Sequence, residues 1–233
     1  MTSKIVAIDR LVCRHVPSPW PWAEAEAARI DAHWQRQVTQ NPSLYDGIVL
    51  LARNVEITGK TLSMDFFDAR FSRFLAWRDF GAPDRSVYNA FSMPALRSSD
   101  GAFLLGEMAQ DHSCAGQLYF PAGTPDAKDL VDGRVDLEGS LLRELAEEAG
   151  LAAHKDALSP GWRVVIDAQR IACMKMIDWR ASAADIATAV AAHILADRHP
   201  ELAAAHMIFR RAQIDEGRMP QFMQDFLRLV LAE

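Results

Sequence analysis

The chain has 233 residues, of which 50% are hydrophobic and 24% charged, and its formal net charge is −6 at pH 7. This length suits one large domain or a catalytic domain with a smaller companion, and the composition excludes a disordered chain. The acidic balance argues against a nucleic-acid polymer as partner, and the lack of any run of roughly 20 apolar residues argues against a membrane span.

Breaker and turn sequences divide the N-terminal part of the chain into short elements. Pro17-Ser-Pro-Trp-Pro21 ends the first strand, and Thr58-Gly-Lys60 is typical of a hairpin connection. The predicted elements are a strand over 4–16, a helix over 22–38, strands over 47–57 and 61–67, and a helix over 70–80. The first helix should bury one face that carries Ile30, His33, Trp34 and Val38.

A second block begins near Ser86 and again mixes strands with helices. Ser98-Ser-Asp-Gly101 is a turn sequence between its first two strands, and Gly150 closes its clearest helix. The predicted elements are strands over 87–96, 102–108 and 117–120, a helix over 137–149, strands over 162–166 and 171–177, a helix over 181–197, a strand over 205–209 and a helix over 220–231. This order predicts an α/β or α+β layered fold.

The helix over 137–149 carries a cluster of acidic residues. On a helical wheel Leu142, Leu145, Ala146 and Ala149 lie on one side, suited to packing, and the opposite side carries Glu144, Glu147 and Glu148. Spacings of i, i+3 and i+4 bring the three carboxylates within reach of one point, where they repel one another. A hard divalent cation such as Mg²⁺ offsets that repulsion; the alternative is a solvated acidic face.

Other residues define the ends and the contacts of this helix. Asp136 is a candidate N-cap, and Gly150 can adopt the left-handed conformation that ends a helix. Arg143 can pair with Glu147 one turn later or with an acid elsewhere. The sequence therefore predicts a helix with a start, a stop, a packed face and an acidic face.

The segment Arg143-Glu-Leu-Ala-Glu-Glu-Ala-Gly-Leu151 resembles the closing half of the Nudix box, Arg-Glu-U-x-Glu-Glu-x-Gly-U, at every fixed position. Leu118-Tyr-Phe-Pro-Ala-Gly123 is similar to the family's approach to the box, with Ala122 in place of its first glycine. The resemblance implies a Nudix-type α/β/α sandwich with a mixed sheet over residues 86–233. Residues 1–85 would then form an N-terminal α+β extension.

The chain departs from the family pattern before the helix. An earlier Glu of the box would fall on Val135, which cannot bind a cation, and the connection from Gly123 to Arg143 is longer than in the standard box. We therefore expect an insertion over 126–136. Asp126, Asp136 and Glu138 are all open as replacements for that Glu.

The resemblance implies hydrolysis of a diphosphate linkage in a nucleoside diphosphate joined to another group X. It assigns Glu144, Glu147 and Glu148 as ligands of Mg²⁺ or Mn²⁺ and gives Arg143 an orienting role at the catalytic site. Tyr45-Asp-Gly47 before paired strands is faintly similar to longer Nudix proteins that act on nucleotide sugars. Nudix relatives are often dimers, so the resemblance allows a homodimer.

Several alternatives stay open on the sequence. The general base could be one of the helical Glu residues or an acid from a later loop, with Glu201, Asp215 and Glu216 as candidates by position only. The chain could instead be a non-catalytic Nudix-fold module that binds a nucleotide or sugar, or a related isomerase that acts on an isoprenoid diphosphate. Asp111-His112-Ser-Cys114 is interpreted as an ordinary loop.

The cysteines bear on the compartment. Cys13, Cys114 and Cys173 are odd in number and widely spaced, so they predict no disulfide framework. The apolar run near the N-terminus is closed at Asp9 and does not fit a signal peptide. We therefore expect a reducing, cytoplasmic location.

Overall fold

The computed structural model describes residues 3–110 and 114–232. The chain forms two compact units. One takes its described residues from the spans 1–9, 91–123 and 138–233, and the other from 10–90 and 124–137. The units therefore differ from the predicted contiguous division into 1–85 and 86–233. The first strand belongs with the later part of the chain, and the segment before the acidic helix belongs with the earlier part.

The first unit is built on a seven-stranded sheet. Its path runs in the order β1-β10-β11-β5-β6-β12, and β7 pairs with β6 beside that path. The strands are β1 (Lys4–Ile8), β5 (Asn89–Arg97), β6 (Phe103–Met108), β7 (Leu118–Tyr119), β10 (Trp162–Asp167), β11 (Arg170–Asp178) and β12 (Leu202–Ile208). The central strands β5 and β11 are buried along nearly their whole length, as expected for strands covered on both faces.

Three helices belong to this sheet: α4 (Leu137–Ala149), α5 (Ala183–Ala196) and α6 (Gln221–Val230). Helix α6 packs a ridge of large side chains onto the sheet, because Phe222, Met223, Phe226 and Leu227 recur at helical spacing and are fully buried. Rings of Phe103, Phe120 and Phe226 meet edge to face in the same core.

The second unit is built on a five-stranded sheet in the order β3-β4-β2-β9-β8. The strands are β2 (Arg10–His15), β3 (Ile48–Thr58), β4 (Thr61–Arg70), β8 (Leu130–Val131) and β9 (Arg134–Val135). Its helices are α1 (Pro21–Ala25), α2 (Ala27–Gln40) and α3 (Phe71–Asp79). Their core gathers aromatic rings, among them Trp20, Phe67, Phe74 and Trp77.

The predicted α+β class is confirmed, because each unit combines a sheet with helices. The predicted single strand over 4–16 is wrong. The chain leaves one sheet after Ile8 and enters the other at Arg10, since β1 pairs antiparallel with β10 whereas β2 pairs parallel with β4. None of the helices in the described part of the chain has the length and apolar character needed to cross a bilayer.

Candidate metal and catalytic site

The acidic helix α4 spans the predicted residues, Leu137–Ala149. It ends at Gly150, whose φ of +68° lies in the left-handed region that only glycine adopts without strain. Leu141, Leu145 and Ala149 are buried. Leu142 and Ala146, which the helical wheel places on the packed side, are only partly buried.

Two of the three predicted ligands are buried and lie together. Glu144 is 9% exposed and Glu148 5%, and their carboxyl groups are close enough to share a proton when one of them is protonated. The side chain of Glu147 is 56% exposed and lies apart from this pair, against Arg143. Among residues 3–110 and 114–232 no group of three or more His, Cys, Asp or Glu side chains converges as a metal site. The structure thus assembles a carboxylate pair rather than the expected triad.

The strand and loop before the insertion fix the position of this pair. After β7 the backbone N–H of Ala122 donates to Oε1 of Glu148 at 3.1 Å. The other oxygen, Oε2, is buried, and when both carboxyls are ionised no donor among residues 3–110 and 114–232 reaches it. A buried carboxylate oxygen without a donor is costly, so this atom is one that a ligand or cation can satisfy.

Gly123 allows the loop to approach the helix closely. A Cβ at this position would lie 2.7 Å from Oε1 of Glu144, and 2.9 Å from its Cδ. Because those distances are shorter than van der Waals contact, only glycine fits here without displacing the carboxylate. The close approach explains why the glycine before the box matters although it is far from the helix in sequence.

Arg143 forms ion pairs with two of the acids. Its Nη1 lies 2.8 Å from Oε1 of Glu144 and 3.0 Å from Oε2 of Glu147. The predicted pairing with Glu147 is therefore confirmed, and the same nitrogen also contacts the buried pair. One guanidinium fixes the rotamers of two carboxylates one turn apart.

Burial and mutual repulsion raise the proton affinity of the pair. Burial raises the pKa of Glu144, and the nearby Arg143 opposes that rise. Burial also raises the pKa of Glu148 well above its usual value, and the negative charges of Glu144 and Glu201 add to the rise. Two adjacent buried carboxyls that resist losing both protons form a site where a cation is strongly favoured.

The donor set fits a hard divalent cation. Carboxylate oxygens are the ligands that Mg²⁺ and Mn²⁺ prefer, and one buried oxygen of Glu148 has no donor among the residues that the structure describes. Glu144 and Glu148 would supply the first two ligands. Glu147 would join them only if its side chain left Arg143.

The insertion forms its own small structure. Residues 127–129 make a short 3-10 helix capped by Asp126, and Asp132 and Gly133, both with positive φ, turn the chain between β8 and β9. Val135 lies in β9 and is buried, as its apolar side chain requires.

The three candidates for the missing box Glu have different surroundings. Asp126 accepts the backbone N–H of Lys128, so it serves as a cap. Glu138 pairs at 2.8 Å with Lys175, whose side chain is only 6% exposed and lies over the ring of Trp162. Nothing in these contacts turns Asp126 or Glu138 toward the carboxylate pair, and the choice among the three candidates stays a prediction.

Of the later acids, Glu201 is the one near the pair, since its charge acts on both Glu144 and Glu148. Asp215 accepts the backbone N–H groups of Gly217 and Arg218 and so shapes a turn, and Glu216 pairs with Arg228. Spacing along the sequence could not distinguish Glu201 from these two. Asp111, His112 and Ser113 lie outside the described residues, and Cys114 is partly buried.

Comparison with solved structures finds partial likenesses at low identity, one of them to a Nudix hydrolase. A MutT protein from Methanosarcina mazei Go1 is 16% identical, and the match covers 61% of this chain and 92% of that chain with a TM-score of 0.42. A Nudix hydrolase from M. Smegmatis, RenU, is 18% identical over 60% of this chain and 81% of that chain, with a TM-score of 0.37.

A bifunctional NMN adenylyltransferase/ADP ribose pyrophosphatase from Francisella tularensis is 11% identical, with a TM-score of 0.43; the match covers 66% of this chain but only 44% of that chain. No family profile matches the chain, and no curated protein sequence matches it. At these identities and TM-scores the likenesses establish no activity, so the functional assignment rests on the residues of the site.

Proposed function

We propose that this protein is a Nudix-type hydrolase that cleaves a diphosphate linkage in a nucleoside diphosphate joined to another group. The observation that carries the proposal is the pair of adjacent buried carboxylates, Glu144 and Glu148, with one oxygen that no donor in the described part of the chain reaches. The pair lies within a segment that matches every fixed position of the closing half of the Nudix box. On a solvated acidic face, by contrast, the carboxylates would be exposed and water would donate hydrogen bonds to their oxygens.

A bound Mg²⁺ or Mn²⁺ would neutralise the diphosphate and activate water for attack on phosphorus. The chain's own groups prepare that site. The N–H of Ala122 holds Glu148, and Gly123 leaves room for Glu144. Arg143 fixes Glu144 and Glu147 and limits their motion. The general base would be one of the helical Glu residues or a later acid, and among the later acids Glu201 is our candidate because its charge acts on Glu148.

The proposal also covers the substrate class, the cellular location and the selection of the group X. The substrate is a small nucleoside-diphosphate compound, with nucleotide sugars as the first class to test. We also propose a reducing, cytoplasmic location, because the three cysteines are odd in number and widely spaced along the sequence. Selection of the group X is assigned to loops and to the N-terminal portion of the chain, as the sequence suggests.

The test is a screen of nucleoside-diphosphate sugars, dinucleotides and coenzyme A with Mg²⁺ or Mn²⁺, with product analysis. Wild-type protein should release a nucleoside monophosphate together with phosphorylated X in equal amounts. Glu148→Gln and Glu144→Gln should lower turnover about 10²–10³-fold, as loss of a key transition-state contact does. Glu147→Gln should lower it as well, since the motif assigns it as a ligand.

Glu24→Gln is the matched control, because it removes the same charge from an exposed position on α1. It should leave turnover unchanged. Binding of these compounds without cleavage would indicate a non-catalytic module instead, and a rearranged isoprenoid diphosphate would indicate an isomerase. Equal turnover in wild type and Glu148→Gln would reject the site.

A further inference from the structure

Helix α5 contacts the end of the acidic helix through one side chain. Nε2 of His193 lies 2.9 Å from the backbone carbonyl oxygen of Glu147. Because a carbonyl only accepts, this nitrogen carries the proton and donates it. The last four carbonyls of a helix have no donor within the helix, so an outside donor stabilises the final turn.

The glycine cap does not supply that donor. The N–H of Gly150 bonds to the carbonyl of Ala146, and the N–H of Leu151 bonds to the carbonyl of Leu145. The carbonyl of Glu147 is the next one along the helix after these two. His193 is the side chain that donates to it.

The imidazole ring of His193 also fits closely against the cap. A Cβ on Gly150 would lie 2.6 Å from Cγ of His193 and 2.7 Å from its Nδ1. Gly150 is therefore needed twice, for its left-handed φ of +68° and for the space that the ring occupies. The His193 ring and the Gly150 backbone therefore pack directly against each other.

We infer that His193 is a positioning residue for the cation site, an inference that rests on the proposed function. Its hydrogen bond fixes the backbone turn from Glu147 to Gly150, and that turn carries Glu148. Without the bond, the last turn of α4 frays, and the Glu148 carboxylate loses its fixed distance from Glu144. Groups that orient metal ligands without binding the metal themselves commonly change metal affinity by roughly 10–100-fold.

The test compares Mn²⁺ binding, by calorimetry without substrate, in wild type, His193→Ala, His193→Gln and His199→Ala. Gln can place an N–H donor where Nε2 stands, so His193→Gln should bind within about twofold of wild type. His193→Ala should raise the Kd for Mn²⁺ about tenfold. His199→Ala, which removes an exposed histidine of the following loop, should bind as wild type does.

Measurements are made well below the midpoint of thermal unfolding of every variant, with circular dichroism to confirm the fold. Equal Mn²⁺ affinity in wild type and His193→Ala overturns the inference, and so does His193→Gln binding as weakly as His193→Ala. Wild-type protein that binds Mn²⁺ but cleaves no diphosphate overturns the proposed function. In that case the Mn²⁺ affinities of the two His193 variants still decide the role of His193. Wild-type protein that binds no Mn²⁺ overturns both.

Discussion

Replacing Glu148 with glutamine should stabilise the metal-free protein at neutral pH while it removes activity. Glu148 is 5% exposed, and its neighbour Glu144 is 9% exposed. In the metal-free protein two buried carboxyls therefore lie close together and repel each other when both are ionised. A glutamine keeps an oxygen for the N–H of Ala122 and adds an N–H donor for Glu144, so it removes the repulsion without leaving a group unsatisfied.

The magnitude follows from the Coulomb energy of the pair. Two unit charges about 4 Å apart in an effective dielectric of roughly 20 repel by about 4 kcal/mol. The carboxyls can share one proton, so only part of that repulsion is realised, and we expect a gain of about 1–3 kcal/mol in the free energy of unfolding. For a chain of this size that gain raises the midpoint of thermal unfolding by roughly 2–4 °C per kcal/mol.

The effect depends on pH in a defined direction. The pKa of Glu148 is higher in the folded chain than in the unfolded chain. The folded protein therefore binds more protons between those two values, so the stability of wild type is full below the unfolded pKa, about 4.3, and falls as the pH rises through the folded pKa. The difference in stability between wild type and the Glu148→Gln variant vanishes at low pH, because a protonated carboxyl and an amide then behave alike.

The assay is thermal or urea unfolding in EDTA from pH 4 to pH 8. Glu147→Gln is the control, because it removes one charge from a half-exposed position on the same helix and so loses the ion pair with Arg143. That control should gain no stability. A Glu148→Gln variant that is no more stable than wild type at pH 8, or whose gain does not grow with pH, would refute the reasoning.

Three further predictions concern the loop, the buried lysine and the core. Gly123→Ala should displace Glu144 and lower kcat about 10²-fold with little change in unfolding, and unchanged kcat would contradict the close approach. Glu138→Gln should lower stability in urea by about 1–3 kcal/mol and more than Lys175→Met does, because it leaves a buried ammonium without its partner; the reverse order would be evidence against this pairing. Phe226→Ala should cost about 3–5 kcal/mol in urea unfolding, and a loss under about 1 kcal/mol would contradict its place in the core.

The sequence predicted the acidic helix to its first and last residue because its signals are local. Apolar spacing sets its length, and Gly150 sets its end. The break at Asp9 was missed because both sides of it have strand-like residues. Which sheet each side joins depends on partners distant in sequence, and no local pattern records that choice.

In the candidate site, too, the local features were predicted from the sequence and the long-range contacts were not. The identity of the acids and the pairing of Arg143 with Glu147 followed from helical spacing. The burial of Glu144 and Glu148 did not, because the helical wheel places them opposite the packing face. Their burial comes from the loop at Ala122 and Gly123, which reaches them through the fold rather than along the helix.

The most direct measurement is an anomalous difference map from a crystal of the protein soaked in Mn²⁺. The proposed site predicts a peak within ligand distance of carboxylate oxygens of both Glu144 and Glu148, on the side of the Oε2 atom that lacks a donor. A map with Mn²⁺ bound only elsewhere, or with the two carboxyls still close together and no peak beside them, would contradict the claim that this pair holds the cation.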